Sequence, residues 1–275
     1  MSSVEHPQDS LIRESGRQSS FSLVSESVTL RWLVAGFLLI LLWIIVAFFS
    51  RSTILEVIDA FIRLSTVGDS GGILLIDHMA HSLFIVLVGF TVAALTAIPL
   101  GVAIGRYRVV DSILGPVVEA MRPIPPIAWI PLSLLIFASL LSAQVFIIWV
   151  GAFFPILINT TTGVKRTEPV HVEVAKTFGA REPQIVTSVV IPSAAPEVFA
   201  GLRIGFGIGW MCLVAAEMIG SNMGLGYLIW TMQQTGWTGA VISSMLVIGL
   251  IGFVASFLLL MIEKRLLRWR RGVSV

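Results

Sequence analysis

The chain has 275 residues, of which 56% are hydrophobic and 12% are charged, and its formal net charge at pH 7 is +2. Soluble domains carry about 25% charged residues, so this composition excludes an ordinary soluble protein and predicts a polytopic membrane protein. The single cysteine, Cys212, leaves no intrachain disulfide to form. The weak basic excess does not indicate nucleic-acid binding, because no patterned aromatic or groove-reading element accompanies it.

Five apolar stretches of the chain provide six membrane-spanning helices. A hydrocarbon core of about 30 Å requires roughly 20 apolar residues in each helix. We therefore predict an all-α protein with a first transmembrane helix at 30–50 and a core of five more at 75–264. The stretches are 32–49, 82–105, 123–164, 198–220 and 241–262, and the third is long enough for two helices joined by a hairpin at Ser142, Ala143 and Gln144.

Lysine and arginine residues collect mainly on one side of these six helices. They lie before the first helix, in the loop between the second and third, in the loop between the fourth and fifth, and after the sixth. The loop at 221–240 contains neither lysine nor arginine. Basic loops are retained in the cytoplasm. We expect a multi-pass membrane protein with both termini cytoplasmic. The tail at 1–29 lacks the pattern of a cleavable signal peptide, and the tail at 265–275 is basic.

The loop at 165–195 carries the signals of a short helix among charged residues. Pro169 suits a first helical turn, and Gly179 suits a left-handed stop. The pattern between them predicts an amphipathic helix with Glu173 and Lys176 on its polar side. Its expected apolar face consists of Val170, Val172, Val174, Ala175 and Phe178.

A second helix is predicted after the first one within the same loop. Pro183 can begin it, and Pro192 is expected to end it. A short helix held between two transmembrane helices can act as a lever, because a force on it moves both. The alternative interpretation is a solvated connector.

The spacing of residues 173–192 resembles the EAA loop of ABC importer permeases. The family pattern is Glu-Ala-Ala, three residues, Gly, nine residues and Ile-x-Leu-Pro. This chain has Glu173-Val174-Ala175, then Gly179, then Val189-Val190-Ile191-Pro192, and its three departures exchange one apolar residue for another. In that family the loop forms the coupling helix, which docks into a cleft of the ATP-binding subunit. The resemblance implies a coupling role for Glu173, Ala175, Lys176, Phe178, Gly179 and Pro192.

Further segments resemble one branch of these permeases, which serves nitrate, sulfonate, taurine and bicarbonate uptake. They are Arg122-Pro123-Ile124-Pro125-Pro126-Ile127-Ala128-Trp129-Ile130-Pro131-Leu132, Gly201-Leu202-Arg203-Ile204-Gly205, Ala215-Ala216-Glu217-Met218 and Gly224-Leu225-Gly226-Tyr227-Leu228-Ile229. One departure is Ile85, which stands where the family often has arginine. A role of that arginine in relatives does not carry over to this chain.

The resemblance implies a type I ABC importer permease (MetI-like) fold, a location in the inner membrane, and a subunit that forms the pathway for a small anion. It also implies several partners. These are a dimer of ATP-binding subunits that holds ATP and Mg, an extracytoplasmic solute-binding protein, and a second permease subunit that completes a homodimer in the lipid bilayer. We expect no cofactor, metal or catalytic site in this chain, which would then not be an enzyme.

Five residues are candidates for the solute pathway or its gates. Pro125, Pro126 and Trp129 lie in a proline-rich run that should break the third helix beside a cavity. Gly205 belongs to a face of small residues that permits close helix approach, either as fixed packing within the subunit or as a moving interface. Glu217 is either an interfacial anchor or part of an outer gate, because an ionisable group near the end of a span is costly in lipid.

Some chemistries have no support in the sequence. It contains no G-x-x-x-x-G-K-[ST] phosphate-binding loop, and no combination of nucleophile, base and orienting residue stands out. His78 and His81 are too few for a metal site. The alternative function is an ion-gradient-driven secondary carrier. Such carriers usually show repeated halves and acidic residues at mid-membrane, and the mid-membrane stretches of this chain lack acidic residues.

Overall fold

The structure is a computed structural model that describes residues 53–267. This part of the chain is helical and contains no strand, as predicted. The α-helices are α1 (Ile54–Thr66), α2 (Leu75–Arg106), α3 (Arg108–Met121), α4 (Ile130–Ile136), α5 (Leu140–Lys165), α6 (Pro169–Thr177), α7 (Glu182–Ile185), α8 (Ile191–Gly220), α9 (Leu225–Gln234) and α10 (Thr238–Leu266). A 3₁₀ turn at Pro126–Trp129 leads into α4, and a π turn at Val186–Val190 joins α7 to α8.

Four helical segments are long and apolar enough to cross a membrane. They are Leu75–Arg106, Leu140–Lys165, Glu182–Gly220 and Thr238–Leu266. They confirm the second, fourth, fifth and sixth predicted spans. The predicted tail at 1–29, the first span at 30–50 and most of the basic tail at 265–275 lie outside the described residues.

The third predicted span differs from the structure. Where we expected a full span from residue 123 onward, the chain forms a 3₁₀ turn and the seven-residue helix α4. Pro123, Pro125, Pro126 and Pro131 account for this, since each proline lacks the N–H that a continuous helix requires. An amphipathic helix that the sequence analysis missed, α3, precedes the turn.

The hairpin expected at residues 142–144 is also wrong. Helix α5 begins at Leu140, and Ser139 caps it by accepting a hydrogen bond from the Ser142 N–H at 3.1 Å. Gln144 is only 2% exposed, inside the helix that it was expected to precede. The serine cap sets the start of α5, because its side-chain oxygen accepts a hydrogen bond from one of the free amides of the first turn.

The core is a three-helix body in which α5 lies between α2 and α8. Helices α2 and α5 run parallel: Gly89 faces Ile148, and further along both helices Gly101 faces Thr160. Helix α8 is antiparallel to α5 and approaches it through glycines, of which Gly201 lies against Asn159. Small residues thus allow the backbones to approach closely on both sides of α5.

A single helical path leads from the 165–195 loop into the membrane-spanning part of α8. The break that we predicted at Pro192 is absent, and the helix continues from Glu182 to Gly220. The Ile191 N–H bonds to the Val186 carbonyl five residues earlier, which is the π-type pattern. This wider turn accommodates Pro192, which has no N–H to donate and would crowd a regular turn. We call the end of the membrane-spanning helices that lies away from this loop the far end.

Candidate coupling loop and a polar cluster at the far end

The predicted helix of the loop is present as α6. Pro169 occupies its first turn, after Glu168 in an extended conformation. At its other end Gly179 has a φ of 79°, and the Ala180 N–H donates to the Ala175 carbonyl at 3.0 Å. This is the Schellman arrangement, in which a glycine in the left-handed region ends the helix. The chain therefore leaves α6 at a defined angle.

The apolar face of α6 divides into two parts. Val172 and Ala175 pack, together with Ala180, against a buried cluster formed by Val164, Ile185, Val190 and Ala194. The other apolar side chains of the helix, Val170, Val174 and Phe178, stay exposed, and Phe178 is 87% exposed. Two of the five side chains thus fix the loop to its own subunit, and the other three, on a different side of the helix, present apolar groups to the surroundings.

An open cleft of about 390 Å³ lies beside this exposed part of α6. Pro192, the last residue of the EAA-like pattern, lines it. The other residues of its lining are His171, Val174, Ser188, Val189 and Ser193. Glu173, Lys176 and Gly179 are exposed on α6 and just after it. The structure therefore places the six predicted coupling residues on or beside one short helix.

The predicted pathway residues lie at two levels of the three-helix body. Trp129 packs with Ile130, and its ring lies 6.3 Å from that of Phe146 on α5. Pro125 and Pro126 begin the turn that carries it. Gly205 lies elsewhere, and a Cβ at this position would be 2.9 Å from the Ala152 carbonyl oxygen of α5. Its surroundings agree with the fixed-packing interpretation.

Glu217 is buried, with an exposed fraction of 0%. Of the two interpretations of this residue, the interfacial anchor is wrong, because protein encloses its carboxylate. Ser82 of α2 donates its hydroxyl to Oε1 at 2.7 Å, and the Gly226 N–H of α9 donates to Oε2 at 2.8 Å. These hydrogen bonds offset the cost of removing the carboxylate from water.

Three successive amides at the start of α9 find side-chain acceptors on other helices. The Gly224 N–H donates to Nδ1 of His78 at 3.0 Å, and the Leu225 N–H donates to the Ser82 hydroxyl at 2.9 Å. The third acceptor is Glu217. We call His78, Ser82 and Glu217 the α9 cap. The cap supplies partners for the free amides that every helix N-terminus presents.

The sequence analysis missed two members of this cap. His78 and Ser82 are four residues apart on α2, which places them on one helix face. That spacing was the available signal. The Nε2 atom of His78 lies 3.4 Å from Oδ2 of Asp69. Because Nδ1 accepts a hydrogen bond, the proton of the neutral ring is assigned to Nε2.

Comparisons with known proteins agree with this architecture. A chain of the inward-facing MetNI methionine ABC transporter has the same fold, with a TM-score of 0.56 and 22% identity over 70% of this chain and 94% of that one. A permease protein of the Escherichia coli taurine transport system is 34% identical over 72% of each chain. This likeness confirms the predicted type I importer permease fold.

Two further relatives match at similar or higher identity. A chain from Methanocaldococcus jannaschii that is assigned as an ABC transporter permease is 48% identical over 72% of this chain and 74% of its own. A nitrate import permease of Synechococcus elongatus is 35% identical over 61% of each chain. Residues 97–271 match the model of the binding-protein-dependent transport system inner membrane component. The chain belongs to this family of ABC transporter permeases.

Proposed function

We propose that the protein forms the translocation pathway of an ATP-driven importer for a small anion such as taurine or another sulfonate, nitrate or bicarbonate. The taurine and nitrate permeases among its relatives support this class of solute. Selection among these anions rests with an extracytoplasmic solute-binding protein, which delivers the solute at the far end. The match to a family of binding-protein-dependent transport components supports an ATP-driven system over the alternative of an ion-gradient-driven carrier.

The observation that carries the proposal is the exposed apolar part of α6. Phe178, Val174 and Val170 stand in solvent on a helix whose opposite side is packed against its own subunit. A protein partner that covers these side chains removes apolar area from water. We assign this surface to a dimer of ATP-binding subunits, which holds ATP and Mg and performs the hydrolysis. The permease itself supplies no catalytic group.

The continuous helix from α7 to α8 supports a coupling mechanism. It begins beside α6 and ends at Gly220, three residues after the α9 cap residue Glu217. A displacement of α6 by the ATP-binding subunits therefore has a continuous helical route to the far end. There, rearrangement of α9 would alternately open and close the pathway. In this scheme Pro125, Pro126 and Trp129 line the route, Glu217 acts at the gate by holding α9, and Gly205 keeps α8 packed against α5.

Helix α3 supports the proposal of a second permease subunit. It has no buried residue, and Val109, Ile113 and Val117 form an exposed apolar stripe at a spacing of four residues. This spacing places the three side chains on one face of the helix. A second copy that packs there would complete a homodimer around the pathway.

The proposal is tested by reconstitution. The permease and its ATP-binding subunit are placed in liposomes with ATP inside and the solute-binding protein outside. Taurine, nitrate and bicarbonate are then supplied in turn as labelled solutes. We expect ATP-dependent uptake of one of them that persists when ionophores collapse ion gradients. Uptake that needs an ion gradient and no ATP-binding subunit would contradict the proposal.

A further inference from the structure

A bidentate ion pair joins the end of α2 to the start of α7. Arg106 Nε donates to one oxygen of Glu182 at 2.7 Å, and Arg106 Nη2 donates to the other at 3.0 Å. Such a fork fixes the orientation of the two groups as well as their distance. Glu182 is the first residue of the continuous helix, where the positive end of the helix dipole also favours a carboxylate.

The ion pair connects the two sides of the π turn. Glu182 lies on the loop side of Val186–Val190, and α2 packs on the other side through the three-helix body. There a Cβ at Gly101 would be 2.7 Å from Cβ of Thr160 on α5. Because a π turn interrupts the regular hydrogen-bond ladder, it is a place where a helix can bend. The pair therefore spans a deformable point between α6 and the body.

Apolar contacts hold the same corner without fixing its angle. Val102, one turn before Arg106, packs against the cluster that also receives Val172 and Ala175 of α6. Apolar burial is not directional. Loss of the ion pair should thus leave the loop attached to the body and alter only how rigidly it is held.

We propose that Arg106 is a positioning residue for coupling. By holding Glu182 it braces the π turn, so that a movement of α6 is delivered to α2, α5 and α8 together. Without the brace, bending at Val186–Val190 absorbs the movement. This inference rests on the proposed function, since it requires ATP-binding subunits that move α6.

The test uses the complete complex, with Mg-ATP and orthovanadate as the trapping probe. Single cysteines at Thr187, in the π turn, and at Asn222, at the far end, report thiol-labelling rates in a Cys212→Ala background. Both positions are exposed. In this parent, trapping should change both rates. Arg106→Gln should keep the response at Thr187 and lose the response at Asn222.

Exchange of the two charges provides the rescue. The double variant Arg106→Glu with Glu182→Arg should recover part of the Asn222 response, and only part, because each new charge opposes the adjoining helix dipole. If Arg106 had only a structural role, Arg106→Gln would change the labelling responses at Thr187 and Asn222 together. If Arg106→Gln no longer binds the ATP-binding subunit, the double variant decides the question. The proposal for Arg106 is overturned if the double variant recovers the complex without the Asn222 response. It is also overturned if the double variant does not recover the complex.

Asp111→Asn is the matched control. Lys165 Nζ donates to both Asp111 oxygens, at 2.9 and 2.8 Å, and this pair joins α5 to α3 without involving α7. The control should retain the Asn222 response. A normal Asn222 response in Arg106→Gln, an equal loss in Asp111→Asn, or no Asn222 response in the parent overturns the inference. No response at either site in the parent contradicts the proposed function, and this inference with it.

Discussion

The carboxylate of Glu217 lies 2.8 Å from the backbone N–H of Gly226, and this hydrogen bond ties the end of α8 to the first turn of α9. The other carboxylate oxygen accepts the hydroxyl of Ser82 on α2. Three helices therefore meet at one acidic side chain. Any rearrangement of α9 at the far end has to break or carry along these hydrogen bonds.

Removal of the Glu217 carboxylate should destabilise the far end. Glu217→Ala leaves the Gly226 N–H and the Ser82 hydroxyl without this acceptor, at a cost of about 3 kcal/mol. Glu217→Gln retains one acceptor oxygen and should cost less. Thermal unfolding of the purified permease in detergent measures both. Glu197→Gln, which alters a partly exposed pair with Arg166, is the control and should change little. Unfolding of Glu217→Ala at the wild-type temperature would contradict the capping role.

Enlargement of Gly205 should disturb the contact between α8 and α5. A Cβ there would lie 2.9 Å from both the Ala152 oxygen and Cγ1 of Ile156. Gly205→Leu should therefore overpack the interface by about 2 kcal/mol or more and reduce transport, whereas Gly205→Ala should be tolerated better. Gly207→Leu is the matched control, since nothing lies within 4 Å of a Cβ at that position. Yield of folded protein and solute uptake report the effect, and equal uptake by Gly205→Leu and wild type would refute it.

Two changes in α6 should uncouple the transporter. Gly179→Val strains a backbone with a φ of 79°, and Glu173→Arg reverses a charge on the exposed side of the helix. Each variant should insert in the membrane, yet the loaded solute-binding protein should no longer stimulate ATP hydrolysis. The measurement is the ATPase rate with and without that protein. Wild-type stimulation in both variants would return the loop to the role of a solvated connector.

Phe178→Ala examines the docking surface more directly. Because Phe178 is 87% exposed, its truncation should leave the unfolding temperature of the isolated permease unchanged. It should nevertheless weaken co-purification with the ATP-binding subunit, by about 2 kcal/mol if the ring is an anchor of the interface. Phe257→Ala, an exposed aromatic truncation on α10, is the control. Unchanged affinity in Phe178→Ala would exclude the ring from the interface.

The local signals of the sequence were sufficient for α6. Pro169 and Gly179 act within one turn of the helix ends, so their effect did not depend on distant contacts. Pro192, by contrast, misled the prediction, because it was expected to end a helix that in fact continues. A proline breaks a regular helix, but here a π turn accommodates it beside the buried residues Val190 and Ala194, and no local pattern reveals their packing.

The α9 cap could not be predicted from spacing alone. The hydrogen bond between Ser82 and Glu217 joins residues 135 positions apart, and that between Gly224 and His78 joins residues 146 positions apart. Sequence reasoning identified Glu217 as costly in lipid, yet it could not name the partners that stabilise it. The same limit applies to Arg106 and Glu182. In the sequence they resemble ordinary charged loop residues, and only the fold places them in an ion pair between α2 and α7.

The unbroken helix from Glu182 to Gly220 has 39 residues, which at 1.5 Å per residue is about 58 Å. A hydrocarbon core of about 30 Å accommodates only about half of that length. The apolar stretch at 198–220 lies toward the far end, so the excess projects on the side of the loop. Helix α6 lies beside this projecting end of the helix. An ATP-binding subunit that docks on α6 would therefore reach this helix without a separate stalk on the permease.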